Sequence, residues 1–545
     1  MDNLRFVLLA SLAFIGFLLW QSWQNEHPAQ RGTPAQQAQA DLKNDERPVL
    51  PTSPNDRPVA ATHGESLGQG NKIRIETDVY QAEISTIGGD LRNLALHRYP
   101  LEVNKPDQPY PLLTDDPENL AVLQGGLLSE QGAPDHHAVY QVEQATYRLP
   151  EGSDQLVVPL AWKGGNGLEV TKRYTFHRGE YQVDVSYEVL NTSSQAWIGR
   201  LYEQIQRRVV GKDSHFFART YSGAAYYDGT YHKLPFKDFP QNALHEEIQN
   251  GWAAVIEHYF VAAIIPPRTT KNFYYTKALP DSRYLVGVTS ADVAIAPGAK
   301  ATFEDRLYLG PKEQDRLAAV APGFDLTVDY GRLTIIAAPL FKILKWLHGW
   351  VGNWGVAIVL LTMIIRLAFY KLAESQYKSM AKMRQFAPRI QALRERYGDD
   401  KQKLNEAMME LYRKEKFNPL GGCLPLFIQL PVFISLYWVL LESVELRQAS
   451  FLWIHDLSTH DPYYVLPILF GLTQFLQQRL SANPAMDPMQ QRMMMFMPIA
   501  LTGFFIFFPA GLVLYWLVNN LLSIAQQWYI TRKYDETAGK AAKPA

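Results

Sequence analysis

A single cysteine, Cys423, occurs in 545 residues, so no disulfide can form within the chain. That fits a reducing compartment, or an exported part that is stable without cross-links. The preceding "LGGC" mimics a lipoprotein cleavage site but lies too deep in the chain to act as one. Catalytic signatures are missing as well: there is no phosphate-cradling glycine loop, no G-x-S-x-G and no metal-spaced set of Cys and His. Asp135-His136-His137, beside Pro134, reads as a solvated loop rather than a ligand set. The sequence therefore implies no catalytic residue, no metal and no cofactor.

The most informative absence is of acids. Apolar runs fall near 350–370, 424–441, 463–480, 493–508 and 511–530, and none contains Asp or Glu. Several are near or just below the ~20 residues a full crossing needs, which points to a locally thinned bilayer. A further run, Phe6 to Trp20 after Arg5, has its only A-x-A match at Ala38-Gln39-Ala40, too distant for ordinary processing. It reads as an uncleaved anchor over 1–23, with aromatics at the interface. Six transmembrane helices result, five of them forming a membrane core.

Charge gives the orientation. The loop 371–420 carries twelve Lys and Arg against seven acids, whereas 442–462 has only Arg447. The tail 531–545 carries Arg532, Lys533, Lys540 and Lys543. The positive-inside rule places that loop and both termini in the cytoplasm. Whatever lies between the first and second spans then faces the other side, the periplasm in a host with two membranes.

Residues 24–70 are rich in Gln, Pro, Asn and Asp, cannot bury enough surface to offset their ordering, and read as a flexible linker. From 71 to 330 the period becomes two. "YQVDVSYEVL" (181–190) sets Tyr181, Val183, Val185, Tyr187 and Val189 on one face. "KIRIETDVY", "LEVTKRYTF" and "TFEDRLYLG" repeat the pattern more weakly, and together they predict a large antiparallel β-sandwich. Over 331–349, Lys342, Lys345 and His348 form a basic strip among Leu, Ile, Phe and Trp, as in a helix lying in the membrane interface. The alternative is a core helix of the sandwich. The stretch 371–417 steps its apolar residues by three and four on either side of Gly398-Asp399-Asp400, which predicts a cytoplasmic helical hairpin. Its basic exterior is either a solvated topology marker or a docking surface for RNA or acidic protein.

Arg366 interrupts the second span about 6 Å from the helix end at Tyr370, within snorkelling reach of the interface. Its company favours another role. Thr362 is one turn away; Tyr515, Asn519, Ser523 and Gln526 form one polar stripe; Gln474, Gln477, Gln478 and Gln429 lie in other spans. Polar residues on four helices predict a shared wet cavity. Interhelical glue is the alternative, above all for Gln429. With no intramembrane acid to pair with, Arg366 is free to attract a carboxylate or polar backbone arriving from the cytoplasm.

"NPLGGCLPLFIQLPVFISLYWVL" (418–440), "FLWIHDLSTHDPYYVLPIL" (451–469), "FPAGLVLYWLVNNLLSIAQQ" (508–527) and "NWG…LLTMIIR" (353–366) together resemble the YidC family of insertases, to which mitochondrial and chloroplast members also belong. "GWAAVIEHYFVAAIIP" and "GGDLRNLALHRY" extend the resemblance into the β-domain, which is similar to the periplasmic supersandwich of Gram-negative members. The resemblance implies a multi-pass inner-membrane insertase and chaperone. Its hydrophilic groove, open to cytoplasm and lipid, draws in the polar exported segment of a nascent membrane protein at Arg366. Thr362, Phe433, Phe505 and Tyr515 match positions that contact the client span; Gln429, Trp516 and Asn519 complete the expected groove. Nascent membrane proteins, the ribosome, the Sec translocon with its accessory subunits and the lipid bilayer are the implied partners, with no specific nucleic-acid sequence. Two departures stand out. Tyr370-Lys371-Leu372 replaces the usual Tyr-Pro-Leu, so a gentler bend is expected there, and Gln474 replaces an apolar residue, so a wetter groove is expected. A secondary transporter with a soluble receptor domain is the competing reading. A membrane-anchored carbohydrate-binding protein is a third.

Overall fold

The computed structural model describes residues 68, 70–209, 221–398, 400–414, 424–481 and 488–541. The expected anchor 1–23 and nearly all of the linker 24–70 lie outside the described residues.

The β-rich part is two stacked sheets. The 8-stranded sheet runs Tyr231–Leu234, Gly223–Tyr227, Trp252–Ile256, Phe260–Ile265, Lys300–Pro311, Gln182–Asn191, Leu168–His177, Gln155–Lys163. The 11-stranded sheet centres on Trp197–Arg208, paired with Arg283–Thr289 on one side and Ala121–Leu128 on the other. Pairing is antiparallel, save for the short parallel match of Lys72–Glu76 with Thr146–Arg148. Along Gln182–Asn191 burial alternates residue by residue, so Val183, Val185, Tyr187 and Val189 fill the layer between sheets.

That layer also holds charge. Lys172 donates to the carbonyls of Gly88 and Gly125 at 3.2 and 3.1 Å, Arg92 pairs with Asp90 at 3.1 Å, and Tyr187 donates to Glu203 at 2.9 Å. A methyl group on Gly125 would sit 2.1 Å from the Glu203 carboxylate, so the charged cluster requires glycine there. His136, expected in a solvated loop, is instead buried, with its ring 2.5 Å from the Tyr202 hydroxyl. Sequence periodicity carries no sign of a loop folded inward over a strand.

The helical part begins after Gln314–Val320 (α1). Thr334–Val351 (α2) ends at Gly352, whose φ of +65° closes the helix in the left-handed region. It packs on Trp354–Ala368 (α3) and Leu424–Glu442 (α6), burying Leu340, Phe341 and Leu344 and leaving Trp350 76% exposed. The Asn353 side chain accepts from Val356 N and caps α3. Tyr370–Tyr397 (α4) follows α3 with a 65° bend, although Lys371 stands where the resemblance led us to expect proline. The turn is made by Phe369, so the bend does not need the missing ring. Lys401–Lys414 (α5) pairs with α4 around buried Ile390. Val465–Ser481 (α7), Pro488–Phe505 (α8) and Ala510–Ala541 (α9) complete the bundle. Among the described residues no single helix is long and apolar enough to cross a membrane alone; the bent pair Trp354–Ala368 with Tyr370–Ala381 meets that test together.

The two parts touch. Lys312 pairs with Glu442 at the end of α6, and His258 meets the Leu441 carbonyl at 2.9 Å. Arg447 donates to the Pro100 and Leu101 carbonyls at 2.7 and 3.1 Å and lies over the Tyr110 and Phe260 rings. The loop 443–464 then folds onto the bundle: Ala510 and Gly511, opening α9, donate to the carbonyls of Thr459 and Leu457. Asp461 accepts from Leu466 N at the start of α7.

Candidate functional site

The helical packing brings the sequence-predicted residues together in two zones. At the first, Arg366 projects from α3 towards α9. Its Nε donates to Asn519 Oδ1 at 2.8 Å, and its Nη2 donates to Ser523 Oγ at 2.5 Å and to the Asn519 carbonyl at 3.3 Å. Ser523 is oriented by its own donation to the Asn519 carbonyl at 2.7 Å, which leaves a lone pair for the guanidinium. Arg366 also lines a small open recess with Phe369, Leu372, Ala373, Gln376 and Gln429. No carboxylate pairs with Arg366 among the described residues. Gln429 thus shares the recess with the arginine.

The second zone is aromatic. Phe433 stacks on Trp516 at 5.0 Å, Phe505 approaches Trp516 at 3.8 Å, and Phe470 packs edge-on against Phe505 at 4.7 Å. Tyr515 is fully buried beside Phe433, and its hydroxyl has no hydrogen-bond partner among the described residues. Thr362 is also fully buried, its hydroxyl spent on the Ile358 carbonyl of its own helix. It packs the bundle rather than facing the recess. Beyond this zone α8 leaves Met493, Met495, Phe496, Met497 and Ile499 exposed.

The single wet cavity expected from four polar helices is instead two polar layers on either side of α9. Asn519 and Ser523 face Arg366. Asn520 donates to Gln474 at 2.8 Å, and Gln477 pairs with Gln527, which also donates to the Leu480 carbonyl at 3.1 Å. Gln474 therefore ties α7 to α9 and does not wet the arginine's recess. The layers meet at Tyr377 of α4, whose hydroxyl faces both the Ser523 carbonyl and Gln477. Sequence reading missed Phe369, Leu372, Ala373 and Gln376 as recess walls. The signal was the departure of α4 from α3, which folds the start of the basic loop back under Arg366. No group of three or more His, Cys, Asp or Glu able to hold a metal ion occurs among the described residues.

Comparison with known proteins extends over the same residues. Residues 72–343 match the family described as "YidC periplasmic domain", and residues 346–537 match "60Kd inner membrane protein". The chain is 48% identical over 559 aligned positions to the membrane protein insertase YidC of Thioalkalivibrio sulfidiphilus, covering 99% of this chain and 100% of that one. It is 47% identical to the membrane protein insertase YidC of Methylococcus capsulatus, with the same coverage. A crystal structure of an active YidC insertase aligns over 84% of this chain and 92% of that one, at 19% identity and a TM-score of 0.40. The chain belongs to the YidC family of membrane protein insertases.

Proposed function

We propose that this chain is a membrane-protein insertase and chaperone of the bacterial inner membrane, acting alone or beside the Sec translocon on ribosome-bound nascent chains. Six helices span the membrane, five of them forming the core, with both termini and the α4–α5 hairpin cytoplasmic and the β-domain periplasmic. Domain limits follow the sequence: anchor 1–23, linker 24–70, β-domain 71–330, interfacial helix 331–349, core 350–530 with hairpin 371–417, tail 531–545.

One observation carries the reading. Arg366 sits among apolar helices, held by neutral oxygens and opening on a recess, and among the described residues no carboxylate neutralises it. A transported proton or cation calls for an acid at that depth; a passing polar peptide calls for a cation and neutral hydrogen-bonding groups. The polar exported segment of a client enters at Arg366 and Gln429. Its apolar span runs along Phe433, Phe505 and Trp516 into lipid, where burial contributes ~25 cal/mol per Å² of apolar surface. Thr362 and Tyr515 shape that path from within the packing. No catalytic residue and no cofactor enters this scheme.

The test is a photoreactive residue at Gln429 or Phe433, in membranes, beside a stalled single-span nascent chain. A crosslink to the client span, absent with a soluble nascent chain, is the expected result. Silence at both positions in an abundant, folded protein returns these residues to plain helix packing and reopens the transporter reading.

A further inference from the structure

We infer that the turn at residues 451–454, on the loop between α6 and α7, is an outer-leaflet contact, with Leu452 at its tip and Tyr463 beside it seated in the lipid interface. The inference rests on the membrane topology proposed above and adds a lipid-binding surface to it. Phe451 N donates to the Ile454 carbonyl at 2.8 Å and Ile454 N to the Phe451 carbonyl at 2.9 Å, which closes a turn with Leu452 and Trp453 between them. The φ of Leu452 is +54°, where two-residue turns of this kind ordinarily place glycine. A side chain is disfavoured there because its Cβ crowds the carbonyl oxygen that follows.

Leu452 is the only aliphatic residue among the described ones held at positive φ; Asn250, Asp281 and Ser282 are short and polar, and Gln448 and Tyr464 lie on the same loop. At 73% exposure it gains little from packing within the chain to offset that strain. Glycine would suit the backbone better, and a polar residue would suit water better. Leucine suits a turn whose tip meets apolar surroundings.

The neighbours say what those surroundings are. The Phe451 ring lies against Gly355, and the Ser450 carbonyl accepts from Asn353 Nδ2 at 3.0 Å. The turn is therefore level with the first turn of α3, at the outer end of a span. Asp461 accepts from Trp453 Nε1 and from Tyr463 N, each at 3.1 Å, and so holds the exposed Tyr463 beside the turn. No residue of 451–454 is charged. An uncharged aliphatic tip flanked by aromatic rings fits the boundary between phospholipid headgroups and acyl chains. The same loop accepts the first N–H groups of α9 at Leu457 and Thr459, so a lipid contact here also fixes the outer end of α9 against the bilayer.

The experiment uses the full chain with Cys423→Ser, reconstituted alone in phosphatidylcholine vesicles. A single cysteine carrying an environment-sensitive fluorophore is placed in turn by Leu452→Cys, by Ile468→Cys on α7 and by Val139→Cys on the β-domain, all three positions being exposed. Part of the lipid is then replaced by phospholipid brominated high on one acyl chain, and the loss of fluorescence is read. Quenching at position 452 is expected to exceed that at 139 several-fold and to approach that at 468. Quenching at 468 without quenching at 452 overturns the inference and leaves the turn to a protein partner or to water. Failure at 468 itself overturns the span reading beneath it. If Leu452→Cys does not accumulate, Tyr463→Cys decides by the same comparison.

Discussion

Lys312 of the β-domain and Glu442 of α6, each only 2% exposed, form an ion pair at 3.4 Å although 130 positions separate them. Lys312 also donates to the Thr327 carbonyl. The pair sits at the C-terminal end of α6, the helix that carries Gln429 and Phe433 nearer its start, and so ties the β-domain to that helix. Breaking one side leaves the other charge buried. Lys312→Met is expected to destabilise the folded chain by ~3–5 kcal/mol, while Lys312→Met with Glu442→Leu regains most of it. Thermal unfolding in detergent separates the two; a double variant no better than the single one would refute the assignment.

Removing residues 72–310 keeps both Lys312 and Glu442 in the chain. It strips Arg447 of Pro100, Leu101, Tyr110 and Phe260, and neither recess nor aromatic zone loses a residue. Insertion of a short single-span client should largely survive the deletion. Complete loss would put the function in the β-domain, as an anchored receptor requires.

Arg366→Ala should impair clients in proportion to the charge on their exported tails, several-fold for acidic tails and least for short neutral ones. Insertion assays on a tail-charge series measure this. Equal insertion of every client by the variant would leave the guanidinium with no electrostatic part to play.

The charged layer of the sandwich makes its stability depend on pH. Burial pushes Asp90 up to about 6 and Glu203 up to about 7, against the pull of Arg92 and Lys172, and raises Asp305 as well. Each carboxyl holds its proton more tightly folded than unfolded. Between about pH 4 and 7 the folded chain therefore carries more protons, and stability falls as pH rises through that window. Glu203→Gln should flatten the profile. Melting curves of the β signal at pH 5 and pH 8 check both statements.

Gly355, the second residue of α3, has no room for a methyl group: a Cβ would lie 2.2 Å from the Phe451 ring of the loop 443–464. Gly355→Ala should cost ~1–3 kcal/mol by displacing that ring, and Phe451→Leu in the same chain should recover part of it. Unfolding midpoints of the two chains give the comparison.

How much of this was written in the sequence depends on whether the cause was local. The alternation of Tyr181 to Val189 is a property of successive residues, and the sheets follow it. The heptad-like steps around Ile390 likewise announce the hairpin. Arg366 stood out because a charge in an apolar run needs a reason, and its neighbours Asn519 and Ser523 lay on the stripe already marked. Gln474 was assigned to the wrong layer, because residue type does not say which side of α9 a neighbouring helix occupies. The burial of His136 and the Lys312–Glu442 pair were illegible for a similar reason: both depend on contacts between segments far apart in the chain.

Asn519 and Asn520 are neighbours in sequence yet serve different sides of α9, one bonded to Arg366 and the other to Gln474. The helix therefore works like a keyed shaft, whose angular phase is fixed by two locks about 100° apart. Adding one residue between Tyr515 and Asn519 would turn every later side chain by that angle and undo both locks at once. Adding four would bring them back to within about 40° while sliding them along the axis by ~6 Å. Point changes within α9 can be absorbed one layer at a time; changes in its length cannot.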